Sequence, residues 1–159
     1  THCHCEMENG LHVCSGRDDW WRITTIIGDA FAVRATPVDG HGARDLNLEA
    51  LVEVLEGKRM VHHHTHRHDD IMTVLRLSKE FGFRVVLHHV SEGWKVADEI
   101  AKAKVPCSVI VVDSPGGKLE AAEMTMATGG ILEKAGVEVA FHTDDWITDS
   151  RVFFRSAAL

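Results

Sequence analysis

The chain has 159 residues, of which 45% are hydrophobic, and carries a formal charge of −7. This length fits one domain over residues 1–159 with a hydrophobic core, but a complete eight-stranded α/β barrel usually takes about 250 residues. Acidic residues are spread along the chain without a basic patch, which argues against a nucleic-acid partner. No apolar run approaches the roughly 20 residues that span a bilayer, and the first residues lack the order of a signal peptide. We therefore expect a soluble protein without a membrane partner, its compartment unassigned.

The first 58 residues give few clear structural signals. Residues 21–27 have the composition of a strand. Residues 48–55 have the pattern of an amphipathic helix that is capped by Asn47 and closed by Gly57. The four cysteines of the chain do not form CxxC pairs, and we expect them to be reduced and structural.

A repeating pattern of short apolar runs and helical stripes begins at residue 59. It predicts strands over residues 59–64, 83–88, 107–112 and 137–142. It also predicts helices from Asp69 or Asp70 to Gly82, from a cap at Ser91 with Trp94 on the inner face, over residues 119–135, and from Asp149 onward. Short connections between alternating strands and helices indicate a parallel sheet with right-handed crossovers. The continuous β-branched run of the third strand favours a sheet that is covered on both faces.

Polar side chains lie at or just beyond the ends of all four predicted strands. In chain order these are His64 and His66, His88 and His89, Asp113, and His142 with Asp144. Catalytic residues of parallel α/β folds collect at the carboxyl ends of the strands, so we expect these side chains to meet in one site.

The histidines of the first two strands are the main candidates for metal ligands. Residues 62, 64 and 66 face one side of an extended strand, and His64, at the strand exit, is our choice of ligand. We interpret His66 and His68 as solvated loop residues, with His66 in reach of substrate. At the second strand end we choose His89 as ligand and leave its neighbour open between a ligand and a packed, hydrogen-bonded residue. A ring of imidazoles with one carboxylate suits zinc, with iron, cobalt or manganese as alternatives.

The third and fourth strands supply the remaining candidates. A carboxylate at Asp144 can bind the metal and also accept a proton from water, whereas Asp145 fits a helix cap. The segment DSPGGK at residues 113–118 lacks the full spacing of a phosphate-binding loop. We therefore favour a loop in which Lys118 contacts substrate over a phosphate site.

Three segments of the chain resemble, in order, the strand motifs of imidazolonepropionase-like members of the amidohydrolase superfamily. VHHHTHRHDDI at residues 61–71 resembles the fifth-strand motif, LHHVSEGWK at 87–95 the sixth, and the segment 137–151, which ends in HTDDWITDSR, the eighth. The resemblance covers roughly residues 46–159. It implies a distorted (β/α)8 TIM-type barrel, incomplete in this chain, with one or two metal ions at its C-terminal face.

The resemblance also implies roles for individual residues. His64 and His89 match the two central metal-binding histidines, and Asp144 matches the metal-binding aspartate that shuttles a proton. His2 and His4 match the first-strand His-x-His metal ligands by pattern only, and a frayed polar terminus explains that pair equally well. We add Arg151, the last residue of the third motif, to His66 and Lys118 as a predicted substrate contact.

Members of this superfamily hydrolyse amides, cyclic amides, esters or amino-substituted rings. The implied function is thus a metal-dependent hydrolase that uses an activated water to attack a C–N bond of a small molecule. Lys58 is the only lysine between His4 and His64, so the bridging carboxylated lysine of two-metal members has no clear counterpart, which favours one ion. Two alternatives remain: an inactive metal-binding barrel fragment that forms a homo-oligomer, and an α/β binding domain whose histidines are structural.

Overall fold

The structure, a computed structural model, divides into two compact units, which are Thr1–Val61 with Phe81–Arg84, and His62–Glu80 with Val85–Leu159. It describes residues 7–8, 11–12, 46–110, 118–144 and 147–158. The predicted strand at residues 21–27 lies outside the described residues. None of the described helices combines the length and the apolar composition that a membrane span requires.

A short hairpin and one helix are described in the first unit. Strands β1 (Met7–Glu8) and β2 (Leu11–His12) pair antiparallel. Helix α1 (Leu46–Leu55) is followed by Gly57, whose φ of +71° is the left-handed conformation expected of a glycine that closes a helix.

The predicted cap of helix α1 is wrong. The helix begins at Leu46, so Asn47 lies in its first turn and not before it. The sequence offers capping side chains at both Asp45 and Asn47, and the pattern alone does not choose between them.

A four-stranded parallel sheet organises the second unit. Its strands are β3 (Val61–Thr65), β4 (Val85–His89), β5 (Cys107–Val109) and β6 (Val139–Phe141), which neighbour one another in chain order. Leu87 lies opposite Cys107, and Val109 lies opposite Phe141. The predicted α/β class with a parallel sheet is confirmed, while closure into a full barrel remains a prediction.

The two faces of this sheet are not equally covered, in contrast to the expectation from the third strand. One face carries the buried side chains, which are His63, Thr65, Val85, Leu87, Cys107 and Val109. On the other face His62 is exposed, and His64, His88 and Ser108 are half-buried. A barrel sheet places its helices on one face, and its other face is covered only where further strands close the barrel.

Helix α2 (His68–Phe81) confirms the predicted apolar stripe. Its buried side chains are Ile71, Val74, Leu75 and Leu77. Gly82, with a φ of +72°, follows the helix as predicted. Asp69 and Asp70 lie in the first turn rather than at the cap, where their carboxylates favourably face the positive end of the helix dipole.

The segment after β4 differs from the prediction in two respects. A 3-10 turn, Gly93–Lys95, precedes helix α3 (Ala97–Ala103), whose N-cap residue is Val96 and not Ser91. Trp94, predicted on the inner face, is 36% exposed, and its indole N–H donates to the Glu123 carbonyl. The Ser91 hydroxyl is instead 2.7 Å from His66 Nδ1.

The predicted helix over residues 119–135 is confirmed only in its second half. The structure has a 3-10 turn, Leu119–Ala121, and a separate helix α4 (Thr128–Lys134). Leu119 and Met126 are 88% and 57% exposed, and no residue of 119–127 is buried, whereas Leu132 in helix α4 is fully buried. The predicted stop at Gly136 is confirmed by its φ of +91°.

The predicted helix start at Asp149 is confirmed. The Asp149 carboxylate accepts a hydrogen bond from the Arg151 backbone N–H at 2.9 Å. A 3-10 turn (Ser150–Val152) leads directly into helix α5 (Phe153–Ala158).

Candidate metal centre

Backbone hydrogen bonds align the carboxyl ends of the strands. The Val90 N–H donates to the Thr65 carbonyl and the Glu92 N–H to the His66 carbonyl, both at 2.8 Å. Between β5 and β6, the His142 N–H donates to the Val109 carbonyl at 3.1 Å. The polar residues that follow β3, β4 and β6 are thereby brought to one edge.

His89, the last residue of β4, lies at the centre of a cluster of imidazoles. Its ring centroid is 4.3 Å from that of His64, 5.0 Å from that of His66 and 4.9 Å from that of His142. The His89 Nδ1 and the His142 Nε2 are 3.2 Å apart. Imidazoles from three strand ends therefore meet around one residue.

The cluster contains two groups of donor atoms that can each hold a metal ion. His64, His66 and His89 form the first group, and His89, His142 and Asp144 form the second. Within each group the donor atoms lie within 4.8 Å of one another. Because His89 belongs to both, the two groups form one continuous site.

Three residues at this edge have backbones in the left-handed region. The φ angles are +70° at His89, +54° at Val90 and +53° at Asp144. Such angles are unfavourable for residues other than glycine, above all for the β-branched Val90, and they concentrate at ligand and active sites. At His89 the left-handed backbone angle ends the alternating side-chain directions of the strand. The His89 side chain can therefore point in a direction that an extended backbone would not allow.

Two serine hydroxyls hold the rings of His66 and His142. Ser91 Oγ lies 2.7 Å from His66 Nδ1, and Ser108 Oγ lies 2.8 Å from His142 Nδ1. In both rings the hydrogen bond at Nδ1 leaves Nε2 to face the cluster. The His66 Nε2 is buried and has no hydrogen-bond partner among the described residues.

Burial keeps the central imidazoles neutral. Burial and the neighbouring histidines His64 and His66 lower the pKa of His89 to about 2. Burial, with His64 and Lys118 nearby, lowers the pKa of His66 to about 3. The pKa of His142 is also lowered, mainly by burial. A neutral imidazole has a free lone pair, which is the form that binds a metal.

His88 lies beside this cluster and pairs with His62. His88 Nε2 and His62 Nδ1 are 2.9 Å apart. Burial, and then the adjacent His142 and His62, lower the pKa of His88 to about 4. Neither donor group includes His88. Of the two alternatives that the sequence left open, the structure therefore favours a hydrogen-bonded neighbour over a metal ligand.

A small pocket opens beside the cluster. The residues that line it are His66, His89, Ile110, Lys118, Ala121, Asp144 and Ile147. Lys118, predicted to contact substrate, thus lies next to both donor groups.

The predicted site residues have different outcomes. His64 and His89 share one donor group and Asp144 shares the other with His89. The interpretation of His66 as a solvated loop residue is wrong, because its side chain is 4% exposed and bonded to Ser91. The Arg151 side chain is 87% exposed and paired with Asp149, and its contact with substrate remains a prediction. His2, His4, Asp113 and Asp145 lie outside the described residues.

Two groups at the cluster, His142 and Glu120, are not among the ligands predicted from the sequence. His142 was noted at a strand end but not chosen as a ligand, although its position after β6 was a usable signal. Glu120 has its carboxylate Oε1 3.7 Å from His64 Nε2 and 3.8 Å from His66 Nε2. No motif in the sequence marks Glu120.

The fold is similar to that of a protein of known structure. No protein-family model and no curated protein matches the chain. Its structure is similar to the crystal structure of an amidohydrolase from Thermotoga maritima MSB8, with a TM-score of 0.75 and 30% sequence identity. The match covers 86% of this chain and 36% of that protein, so the chain spans about a third of the length of its neighbour.

Proposed function

We propose that this chain carries the metal-binding half of a metal-dependent hydrolase that attacks a C–N bond, in an amide or cyclic amide, with an activated water. The observation that carries the proposal is the convergence of imidazoles from three strand ends, with the Asp144 carboxylate, around His89. The similarity to an amidohydrolase supports hydrolase chemistry in general.

The donor set fits a divalent cation. Residues His64, His66, His89, His142 and Asp144 would hold it, and zinc suits this mixture of nitrogen and oxygen donors, with iron, cobalt or manganese as alternatives. The Nε2 of His66 is buried and has no hydrogen-bond partner within the described part of the chain, which supports the fit, because such an atom is costly and a metal bond would satisfy it.

The proposed mechanism assigns the proton transfers to Asp144. A bound divalent cation would supply Lewis acidity, which polarises a carbonyl and acidifies water. As the water oxygen bonds to the substrate carbon, the Asp144 carboxylate accepts its proton. The C–N bond then breaks, and protonated Asp144 returns that proton to the leaving nitrogen. The position of Asp144 both in a donor group and on the pocket wall supports this role.

The substrate would be a small molecule that enters the pocket beside the cluster. The ammonium group of Lys118 on the pocket wall can bind an anionic group of such a substrate. His66 lines the same pocket, and we keep Arg151 as a more distant contact. First-strand ligands at His2 and His4 remain part of the proposal.

Metal binding and turnover test the proposal together. The purified chain is stripped with a chelator, titrated with Zn²⁺ by calorimetry, and assayed on a panel of N-acyl amino acids and lactams. We expect binding, metal-dependent hydrolysis, and loss of both in His89→Ala, since His89 belongs to both donor groups. His68→Ala is the matched control, because that histidine pairs with Glu92 outside both groups. Hydrolysis that survives the chelator unchanged would contradict the proposal.

An inactive metal-binding fragment that assembles as a homo-oligomer is the second candidate. The observation that favours it is that the match covers only 36% of the amidohydrolase neighbour. Metal binding without turnover, in a chain that elutes as an oligomer from a sizing column, would support this candidate. A folded chain that binds no metal would instead support a binding domain with structural histidines.

A further inference from the structure

We propose that Glu120 is a fourth metal donor, which completes the group formed by His64, His66 and His89. The inference rests on the proposed metal site and adds to it a carboxylate from the segment after β5. It would make that segment, and not only the ends of β3, β4 and β6, part of the metal centre.

The spacing of the Glu120 carboxylate matches that of a co-ligand better than that of a hydrogen-bond partner. Its Oε1 is 3.7 Å from His64 Nε2 and 3.8 Å from His66 Nε2. Hydrogen bonds from ring N–H groups to oxygen span about 2.7–3.2 Å. Two donors bound tetrahedrally to one zinc at about 2.0–2.2 Å lie roughly 3.3–3.6 Å apart. The two distances from Glu120 Oε1 exceed this ligand spacing by only a few tenths of an ångström.

A buried donor atom points independently to a ligand at this place. The His66 side chain is 4% exposed, and Ser91 occupies its Nδ1. Its Nε2 has no hydrogen-bond partner among the described residues and faces Glu120 Oε1 across a gap too long for a hydrogen bond. A cation between the two atoms would satisfy the nitrogen and the carboxylate together.

A carboxylate at this position would balance the positive charge of a divalent cation. The three imidazoles contribute no negative charge, and a divalent cation in a partly buried site is costly unless an anion compensates it. Among the described residues, the second donor group has Asp144 for this purpose, and the first group has Glu120 at its edge.

The local backbone orients Glu120 toward the cluster. Glu120 lies in the 3-10 turn Leu119–Ala121, between Leu119, which is 88% exposed, and Ala121, which lines the pocket. Lys118 Nζ lies 4.0 Å from Glu120 Oε1, so the carboxylate is not tightly paired with this lysine. An arriving cation can therefore recruit the carboxylate.

The test measures metal affinity and coordination in the full chain. Glu120→Gln and Glu120→Ala are compared with wild type by Zn²⁺ calorimetry and by the visible absorption of the Co²⁺-substituted protein, which reports coordination number and donor type. We expect affinity to fall by about tenfold to a hundredfold, or more, with an altered Co²⁺ spectrum, in both variants. Glu123→Gln is the matched control, since Glu123 is a near neighbour in sequence that pairs with Lys95 outside the cluster. Circular dichroism verifies that each variant is folded.

The outcomes separate this inference from the proposed function. Unchanged affinity and an unchanged Co²⁺ spectrum in both Glu120 variants, with binding still lost in His89→Ala, would overturn the role of Glu120 and leave the metal site standing. Wild-type protein that binds neither Zn²⁺ nor Co²⁺ would overturn both.

Discussion

Hydroxyl groups from neighbouring segments orient the imidazoles of the cluster. Ser91 bonds to Nδ1 of His66, and Ser108 bonds to Nδ1 of His142. Such partners fix the ring orientation of metal-binding histidines and decide which nitrogen is free to bind. The two serines serve different donor groups, because His66 belongs to one group and His142 to the other.

Serine-to-alanine variants identify which group holds the ion. If the first group dominates, Ser91→Ala lowers Zn²⁺ affinity by about tenfold to a hundredfold, and Ser108→Ala leaves it nearly unchanged. If the second group dominates, the order is reversed. Calorimetric titration of both variants gives the comparison. Equal, wild-type affinity in both would show that neither hydroxyl positions a ligand.

Asp144→Asn separates metal binding from proton transfer. The amide can still offer an oxygen to the metal but cannot accept the proton of the attacking water. We expect hydrolysis to fall by at least about a hundredfold while Zn²⁺ remains bound. Metal content and kcat are measured on the same preparation. Retention of wild-type kcat would contradict the assigned role of Asp144.

At the scale of elements, helix α4 approaches strand β6 through a glycine. A Cβ at Gly129 would lie 2.6 Å from Phe141 Cζ, whereas one at Gly130 would have no neighbour within 4 Å. Phe141 directly precedes His142, so the packing of this helix also bears on the position of a candidate ligand.

Alanine at these two glycines should have opposite effects on stability. Gly130→Ala should stabilise the chain by about 1 kcal/mol, because alanine costs less than glycine in a helix. Gly129→Ala gains the same helical preference but forces Phe141 to move, and we expect a net destabilisation of about 1–3 kcal/mol. Urea unfolding of both variants measures the difference. Equal stabilisation by both would mean that Phe141 moves at no cost.

The elements with the clearest periodicity were the most accurately predicted. The stripe of helix α2 and the glycines that end α1, α2 and α4 agree with the sequence pattern, because helix periodicity and glycine conformation act over a few residues. The single helix over 119–135 failed in its first half, because no residue of 119–127 is buried. Leu119 and Met126 there are exposed, which the local pattern does not reveal.

For the molecule as a whole, buried histidines make stability depend on pH. Burial is the first cause that lowers the pKa of His63 to about 4, of His66 to about 3 and of His89 to about 2. In the unfolded chain these groups return to the ordinary value of about 6.5, so below that pH the unfolded state binds more protons than the folded state. Their contribution to stability is complete above about pH 6.5 and is lost progressively as the pH falls through the folded-state pKa values of about 4, 3 and 2.

The metal-free chain should therefore be acid-sensitive in a defined window. Each of the three imidazoles should cost about 1.4 kcal/mol of stability per pH unit well below 6.5. Urea midpoints measured in chelator between about pH 7 and pH 5 test this dependence. His63→Leu should give a shallower profile, because it removes one buried imidazole whose Nδ1 has no hydrogen-bond partner among the described residues. A flat profile for wild type would contradict the assignment of neutral, buried rings.

The sequence by itself determined the α/β order, the parallel sheet, and the presence of histidines and a carboxylate at the strand ends. These features follow from local periodicity and from the general rule that parallel strands end at one edge. Only the tertiary structure decided that His66 is buried, that Ser91 supports His66 and not a helix, and that His142 and Glu120 join the cluster. The physical reason is distance along the chain: Ser91 and His66 are 25 residues apart, and His142 and His89 are 53 apart. Contacts of that kind exist only once the strands are aligned side by side.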